Sequence, residues 1–141
     1  MPQASIQVRV PFHDVDSSGR IHFTAMFRYM ELAEHELMRS IGFPYATVLQ
    51  DTGFPRVHVS CDFRRAIQYD DELTVYARVE RVSRTSWTVA FAAYFTHEIR
   101  EGKPENVGAA TEGQMTIVAI NAETQRATSL PEDLRRALAA A

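Results

Sequence analysis

Hydrophobic and polar residues alternate from Ile6 to Phe12, with Ile6, Val8, Val10 and Phe12 set against Gln7 and Arg9. That period of two predicts a first strand buried on one face. The cluster Asp14-Val-Asp-Ser-Ser-Gly19 then breaks the pattern with turn formers. From Thr24 to Ile41 the period becomes helical: Met26, Met30, Ala33, Leu37 and Ile41 form one stripe, flanked by Phe27, Tyr29 and Leu32. Thr24 is the expected N-cap and Gly42 the stop. Only Arg28, Glu31, His35 and Arg39 make a clearly polar arc, so the helix is expected to be mostly enclosed. Glu34 and Glu36 fall on the flanks of the apolar arc, where a carboxylate needs a partner or an opening.

Beyond Gly42-Phe-Pro44 and a short connection, the chain reads as strand up to about Ile120. Val57, Val59, Cys61 and Phe63 alternate with His58, Ser60 and Asp62. Leu73, Val75, Ala77 and Val79 repeat the pattern, as do Trp87, Val89, Phe91, Ala93 and Phe95, and finally Met115, Ile117 and Ala119. Arg100-Glu-Gly-Lys-Pro104 predicts a hairpin turn, and Ser129-Leu-Pro-Glu132 a capping box opening a short C-terminal helix. Long runs of period two indicate an antiparallel sheet with one buried face. One apolar helix and one meandering sheet satisfy each other only if the sheet curls around the helix. The expected architecture is therefore α+β, in a single domain spanning residues 1–141.

The chain of 141 residues is long enough to bury a core without a staple, and 45% of it is hydrophobic against 23% charged. A net charge of −3, with no block of either sign, predicts no nucleic-acid partner. No apolar run approaches the ~20 residues that span a bilayer, and the start MPQASIQVRV does not read as a signal peptide. Cys61 is the only cysteine, which excludes an intrachain disulfide and a cysteine-based zinc site and points to the cytoplasm.

Candidate chemistry concentrates between the first strand and the helix. Asp14, Asp16, His13 and His22 lie close together immediately before a helix N-terminus, whose unpaired N–H groups and dipole suit a developing oxyanion. A nearby carboxylate then serves as base or nucleophile. The two aspartates read equally well as turn residues satisfying local N–H groups. The same four residues match no established metal-ligand spacing, and no metal or redox cofactor is expected.

Asp14-Val-Asp16-x-x-Gly19, the pair His22-Phe23, and Phe27-Arg-Tyr29-Met-Glu31-Leu-Ala together resemble the hotdog-fold acyl-CoA thioesterases of the 4-hydroxybenzoyl-CoA thioesterase type. Val59-x-x-Asp-Phe-Arg-Arg-Ala66, Asp70-Asp-Glu-Leu73 and Arg84-Thr-Ser86-Trp extend the resemblance from the first strand to the last. It implies a curved antiparallel sheet wrapped around one long central helix, assembled as a homodimer or homotetramer with the active site shared between protomers. It also implies hydrolysis of an acyl-CoA to a carboxylic acid and free coenzyme A. Asp16 falls on the family's catalytic carboxylate, Phe23 on the position whose backbone N–H polarises the thioester carbonyl, and Glu31 on a common helix glutamate. Where some relatives carry a tyrosine and a histidine this chain has Phe12 and Phe23, with His22 one position earlier.

His22 is a candidate to contact substrate or orient Asp16, and equally to cap the helix. Thr24 is a candidate substrate contact, as is His58, which also reads as a solvated sheet residue. Arg64, Arg65 and Arg84 suit the phosphates of coenzyme A, and equally a solvated strand edge. Glu31 pairs with His35 on the polar arc in the alternative reading. Cys61 is expected to face inward as a small hydrophobe. An acyl-carrier-protein thioesterase and a non-catalytic acyl-ligand module stand as the alternative functions.

Overall fold

The computed structural model describes every residue except 49–51, 103 and 105–106. Its central element is helix α1, Phe23–Ser40, which buries Ala25, Met26, Tyr29, Met30, Ala33, Leu37 and Met38 together with one charged residue, Glu34. The N-cap is His22, not Thr24: its extended backbone precedes the helix and its ring accepts the Thr24 N–H. The helix therefore starts earlier than the sequence suggests, because an imidazole nitrogen does the work expected of a hydroxyl. At the other end Gly42 takes φ +88°, its N–H bonds to Arg39 O, and Phe43 N–H bonds to Met38 O. These paired bonds satisfy the last carbonyls and stop the helix where glycine permits a left-handed residue.

Around α1 runs an antiparallel five-stranded sheet. Its strands are β1 (Gln3–Arg9), β3 (Arg56–Phe63), β4 (Glu72–Val82), β5 (Ser86–Phe95) and β6 (Thr111–Val118), in the order β1-β4-β5-β6-β3. The inward faces of β4, β5 and β6 are those read from the alternation, with Leu73, Val75, Ala77, Val89, Ala93 and Ile117 wholly buried. Gly113 leaves room for its neighbours in strand and helix: a Cβ there would meet the Ser60 carbonyl oxygen and stand 2.8 Å from Met30 Cε. Helix α2 (Tyr45–Val48) packs on α1, and β2 (Thr52–Gly53) pairs with β7 (Ile120–Asn121).

Strand β3 departs from the expectation. Val57, Val59 and Phe63 are 62%, 42% and 46% exposed, and Cys61 is half-buried rather than enclosed. The strand is a sheet edge, bonded only to β6, and its register slips between Arg56 and His58. An alternating sequence identifies the two faces of a strand but not whether the helix reaches far enough to cover one of them. Burial pushes the Cys61 thiol up to about 11, so it stays protonated.

Two turns also differ in detail. Helix α3, Glu132–Ala139, forms as expected and buries Leu134 and Leu138, but Pro131 is its N-cap and no side chain caps it. Ser129 instead accepts a hydrogen bond from Arg84 at 2.8 Å. In the expected hairpin turn Glu101 and Gly102 both take positive φ, while Lys103 lies outside the described residues.

Glu34, flagged as a carboxylate on the apolar flank, is wholly buried and held by both arms of the Arg56 guanidinium at 2.5 and 2.6 Å. Burial opposes the Arg56 charge, but the hydrogen bonds and charge of Glu34 outweigh it and raise the guanidinium further above its ordinary value. The exposed carboxylate of Glu31 lies 3.6 Å away. This pair fastens the middle of α1 to the slipped start of β3. Replacing Arg56 with methionine strands a buried carboxylate and is expected to destabilise the protein by about 3–5 kcal/mol in urea unfolding. Adding Glu34→Leu to that variant is expected to recover most of the loss.

Candidate active site

The segment between β1 and α1 folds into a small hairpin. A 3-10 turn spans Phe12–Asp14, Val15 bridges Ile21, and Asp16 N–H bonds to Arg20 O at 2.8 Å. The tip closes through Gly19 N–H on Asp16 O, with Gly19 at φ +83°. Ile21 N–H on Ile67 O and the Arg20–Gln68 bridge lay the hairpin against the segment that leaves β3.

The two aspartates, alike in the sequence, have opposite fates. Asp14 is 5% exposed and turns inward, where its carboxylate accepts hydrogen bonds from Arg28 and, at 2.6 Å, from the Tyr29 hydroxyl. Asp16 faces solvent, and its Oδ1 accepts from the Ser18 hydroxyl at 2.5 Å and the Ser18 N–H at 2.8 Å. The Ser18 hydroxyl first, then the Ser18 N–H, hold the Asp16 carboxyl below its ordinary value, with smaller help from His22 and Arg20. The group is therefore ionised at neutral pH, and Oδ2 has no hydrogen-bond partner among the described residues.

Asp16 borders a cleft of about 380 Å³ lined also by Phe23, Phe63, Arg64, Arg65 and Ile67. Phe23 opens α1, so its N–H has no carbonyl a turn earlier to bond, and it finds no acceptor among the described residues. Its ring, 61% exposed, stacks on His22 at 4.8 Å. Arg64 is half exposed and only loosely tied, 3.7 Å from both Asp62 and Glu112. Arg65 is committed: it grips Glu98 at 2.6 and 3.1 Å, donates to Gly108 O, and lies 4.8 Å over the Phe95 ring.

Of the residues singled out from sequence, Asp16, Phe23, Arg64 and Arg65 thus meet in one cleft. His22 and Thr24 stand beside it as the cap of α1, the His22 Nδ1 2.7 Å from the Thr24 hydroxyl. His58, paired with Thr116, lies on the sheet's outer face, and Arg84 sits at the β4–β5 turn against Ser129. Glu31 faces Arg56 rather than the hairpin. A larger groove of about 750 Å³ crosses the outer face of the sheet between Tyr76, Tyr94 and Gln114, but it contains neither the hairpin nor the helix N-terminus. Among the described residues no three of His, Cys, Asp and Glu converge as a metal would require. No described helix is long and apolar enough to cross a membrane. The turn reading of Asp16 holds, since its Oδ1 accepts the Ser18 N–H; what sequence reasoning missed is the added grip of the Ser18 hydroxyl. It also missed Phe63, whose exposure depends on the open edge of β3.

Residues 18–100 match the thioesterase superfamily. A 1,4-dihydroxy-2-naphthoyl-CoA hydrolase of Prochlorococcus marinus (strain MIT 9313) is 31% identical over 140 residues, covering 93% of this chain and 86% of that protein. Among solved structures, a 1,4-dihydroxy-2-naphthoyl-CoA thioesterase from Synechocystis superposes with a TM-score of 0.83 at 18% identity, over 96% of this chain and 95% of the other. A DHNA-CoA thioesterase from Staphylococcus aureus gives 0.84 at 20% identity, over 97% and 89%.

Because Ser18 supplies the leading stabilisation of the Asp16 carboxylate, Ser18→Ala is expected to raise the Asp16 pKa toward the ordinary carboxylate range. Carboxyl carbon NMR across a pH titration measures this directly. An unmoved titration would mean that the Ser18 contact does not form in solution.

Proposed function

The chain belongs to the thioesterase superfamily and has its hotdog fold, and from that premise we propose that it hydrolyses an aromatic acyl-CoA, with Asp16 as the reacting carboxylate. It is a thioesterase. The observation that carries the finer reading is the shared cleft: Asp16, ionised and with one oxygen free, and Phe23, the first residue of α1, whose N–H has no acceptor among the described residues, line the same cavity. The aromatic acyl group rests on the substrate named for the Prochlorococcus relative and on the exposed rings of Phe23 and Phe63 at the cleft.

The thioester carbonyl oxygen accepts the Phe23 N–H, where the dipole of α1 stabilises the negative charge that develops on it. In one course Asp16 takes a proton from a water molecule as its oxygen attacks the carbonyl carbon. The tetrahedral intermediate then collapses, the carbon–sulfur bond breaks, and coenzyme A leaves as a thiolate that takes up the proton. In the other course Asp16 attacks the carbonyl itself, expels the thiolate, and the resulting anhydride is hydrolysed. A single turnover in ¹⁸O-water tests the second course: label in the Asp16 carboxylate requires an anhydride opened by water at the aspartyl carbon, whereas direct attack of water labels the product acid alone. Arg64, the less committed of the two cleft arginines, takes a coenzyme A phosphate, while Arg65 braces the wall through Glu98. The same reading makes the protein a cytoplasmic enzyme, in keeping with its lone free Cys61.

Assembly as a homo-oligomer through β3 is part of the proposal. Val57, Val59 and Phe63 line an unpaired strand edge, and Leu32 on α1 is 50% exposed. Sedimentation is expected to show a dimer or tetramer, with Val57→Asp shifting it toward monomer; a monomeric wild type would refute the assembly.

Free-thiol release from a panel of aromatic, short and long acyl-CoAs tests the reaction. Wild type is expected to turn over at least one aromatic member, and Asp16→Asn to lose roughly 10²–10⁴-fold in kcat. Undiminished activity in Asp16→Asn would remove Asp16 from the chemistry. Silence across the panel would redirect the reading to an acyl-carrier-protein thioester or a binding module.

A further inference from the structure

Asp14 is the one buried carboxylate besides Glu34 among the described residues, and unlike Glu34 it belongs to the hairpin that carries Asp16. Both its oxygens are engaged by consecutive residues of α1: Arg28 on Oδ1, and the Tyr29 hydroxyl on Oδ2 at 2.6 Å. Its main-chain oxygen accepts the His22 N–H at 2.8 Å, so the residue grips the helix cap as well. His13 is the other titratable group facing it, with Nε2 at 3.7 Å from Oδ1 on an exposed ring. The hairpin thus leaves Asp14, turns at Asp16–Gly19 and returns to His22, with both ends secured to one residue that is itself secured to α1. Burial, and then the Asp14 contact, push the Tyr29 hydroxyl well above the usual phenol range, so it remains a hydrogen-bond donor.

We propose that Asp14 is a positioning residue: clamped by Arg28 and Tyr29, it fixes the Asp16 carboxylate relative to the Phe23 N–H. The inference rests on the reading of Asp16 and Phe23 given above. Asp14 touches no substrate; it acts by holding the hairpin that bears the reacting group. Its carboxylate is required because a neutral amide has one acceptor oxygen and no charge, and so cannot accept from both Arg28 and the Tyr29 hydroxyl.

The experiment compares wild type, Asp14→Asn and Tyr29→Phe in three measurements: kcat and KM for the best acyl-CoA of the panel, thermal unfolding, and the carboxyl NMR titration of Asp16. Tyr29→Phe removes one hydroxyl and keeps the ring, so it remains informative if Asp14→Asn folds poorly. Both variants are expected to lose on the order of 10- to 100-fold in kcat with KM changed less than about twofold, the signature of a displaced catalytic group. The Asp16 titration is expected to move up, as a loosened hairpin weakens the Ser18 contacts. Lowered thermal midpoints with kcat and the Asp16 titration unchanged would overturn the proposal and leave a purely structural Asp14. The titration needs no turnover, so it judges the clamp even if the acyl-CoA panel is silent and the functional reading fails.

Discussion

A helix that is apolar around most of its circumference has to be enclosed, and the architecture follows from that requirement. The 18 residues of α1 bury two adjacent faces, and only a sheet that curves can cover them. Once the sheet has covered the buried side of the helix, what remain open are its outer arc, where Arg28, Glu31 and the apolar Leu32 are exposed, and its ends. The C-terminal end is closed by its own backbone through Gly42 and Phe43. The N-terminal end emerges at the rim with a capping imidazole, an unpaired N–H at Phe23 and the positive end of the helix dipole. The site sits where enclosure leaves the helix incomplete.

Two kinds of carboxylate serve this arrangement. Glu34 and Asp14 are buried, and each is paired with an arginine, because an ionised group without a partner in such surroundings would not be tolerated. Asp16 stays at the surface, its charge supported by neutral donors from a neighbouring serine. An arginine on Asp16 would have occupied both carboxylate oxygens. Ser18 steadies one oxygen and leaves the other.

Much of this was legible in the chain. The alternation in β4, β5 and β6 identified their buried faces, because central strands covered by a helix must be apolar on that side. The helical stripe fixed the core of α1, and the turn-to-helix motif led to Asp16 and Phe23. What could not be read depended on partners distant in sequence. Glu34 was visible as a residue in need of a counter-charge, but nothing in its neighbourhood named Arg56. Asp14 and Asp16 share one short motif and the same alphabet letter, so their separation into a buried anchor and an exposed carboxylate exists only once Tyr29 is folded over the hairpin. His58 and Arg84 drew notice by residue type, and the topology carried them to the outer face and to a remote turn.

The slipped register at the start of β3 has a meaning for how an open sheet edge escapes unwanted pairing. A sheet edge with bare N–H and C=O groups and apolar side chains is a template on which any extended segment can add itself. The extra residue at Val57 interrupts that template, since a bulge twists the edge and spoils continuous pairing. The stretch that remains regular runs from His58 to Phe63, and its alternating side chains favour a strand that arrives in matching register. An irregularity that looks like imperfect folding thereby acts as a filter, guarding the open edge of the sheet against promiscuous aggregation.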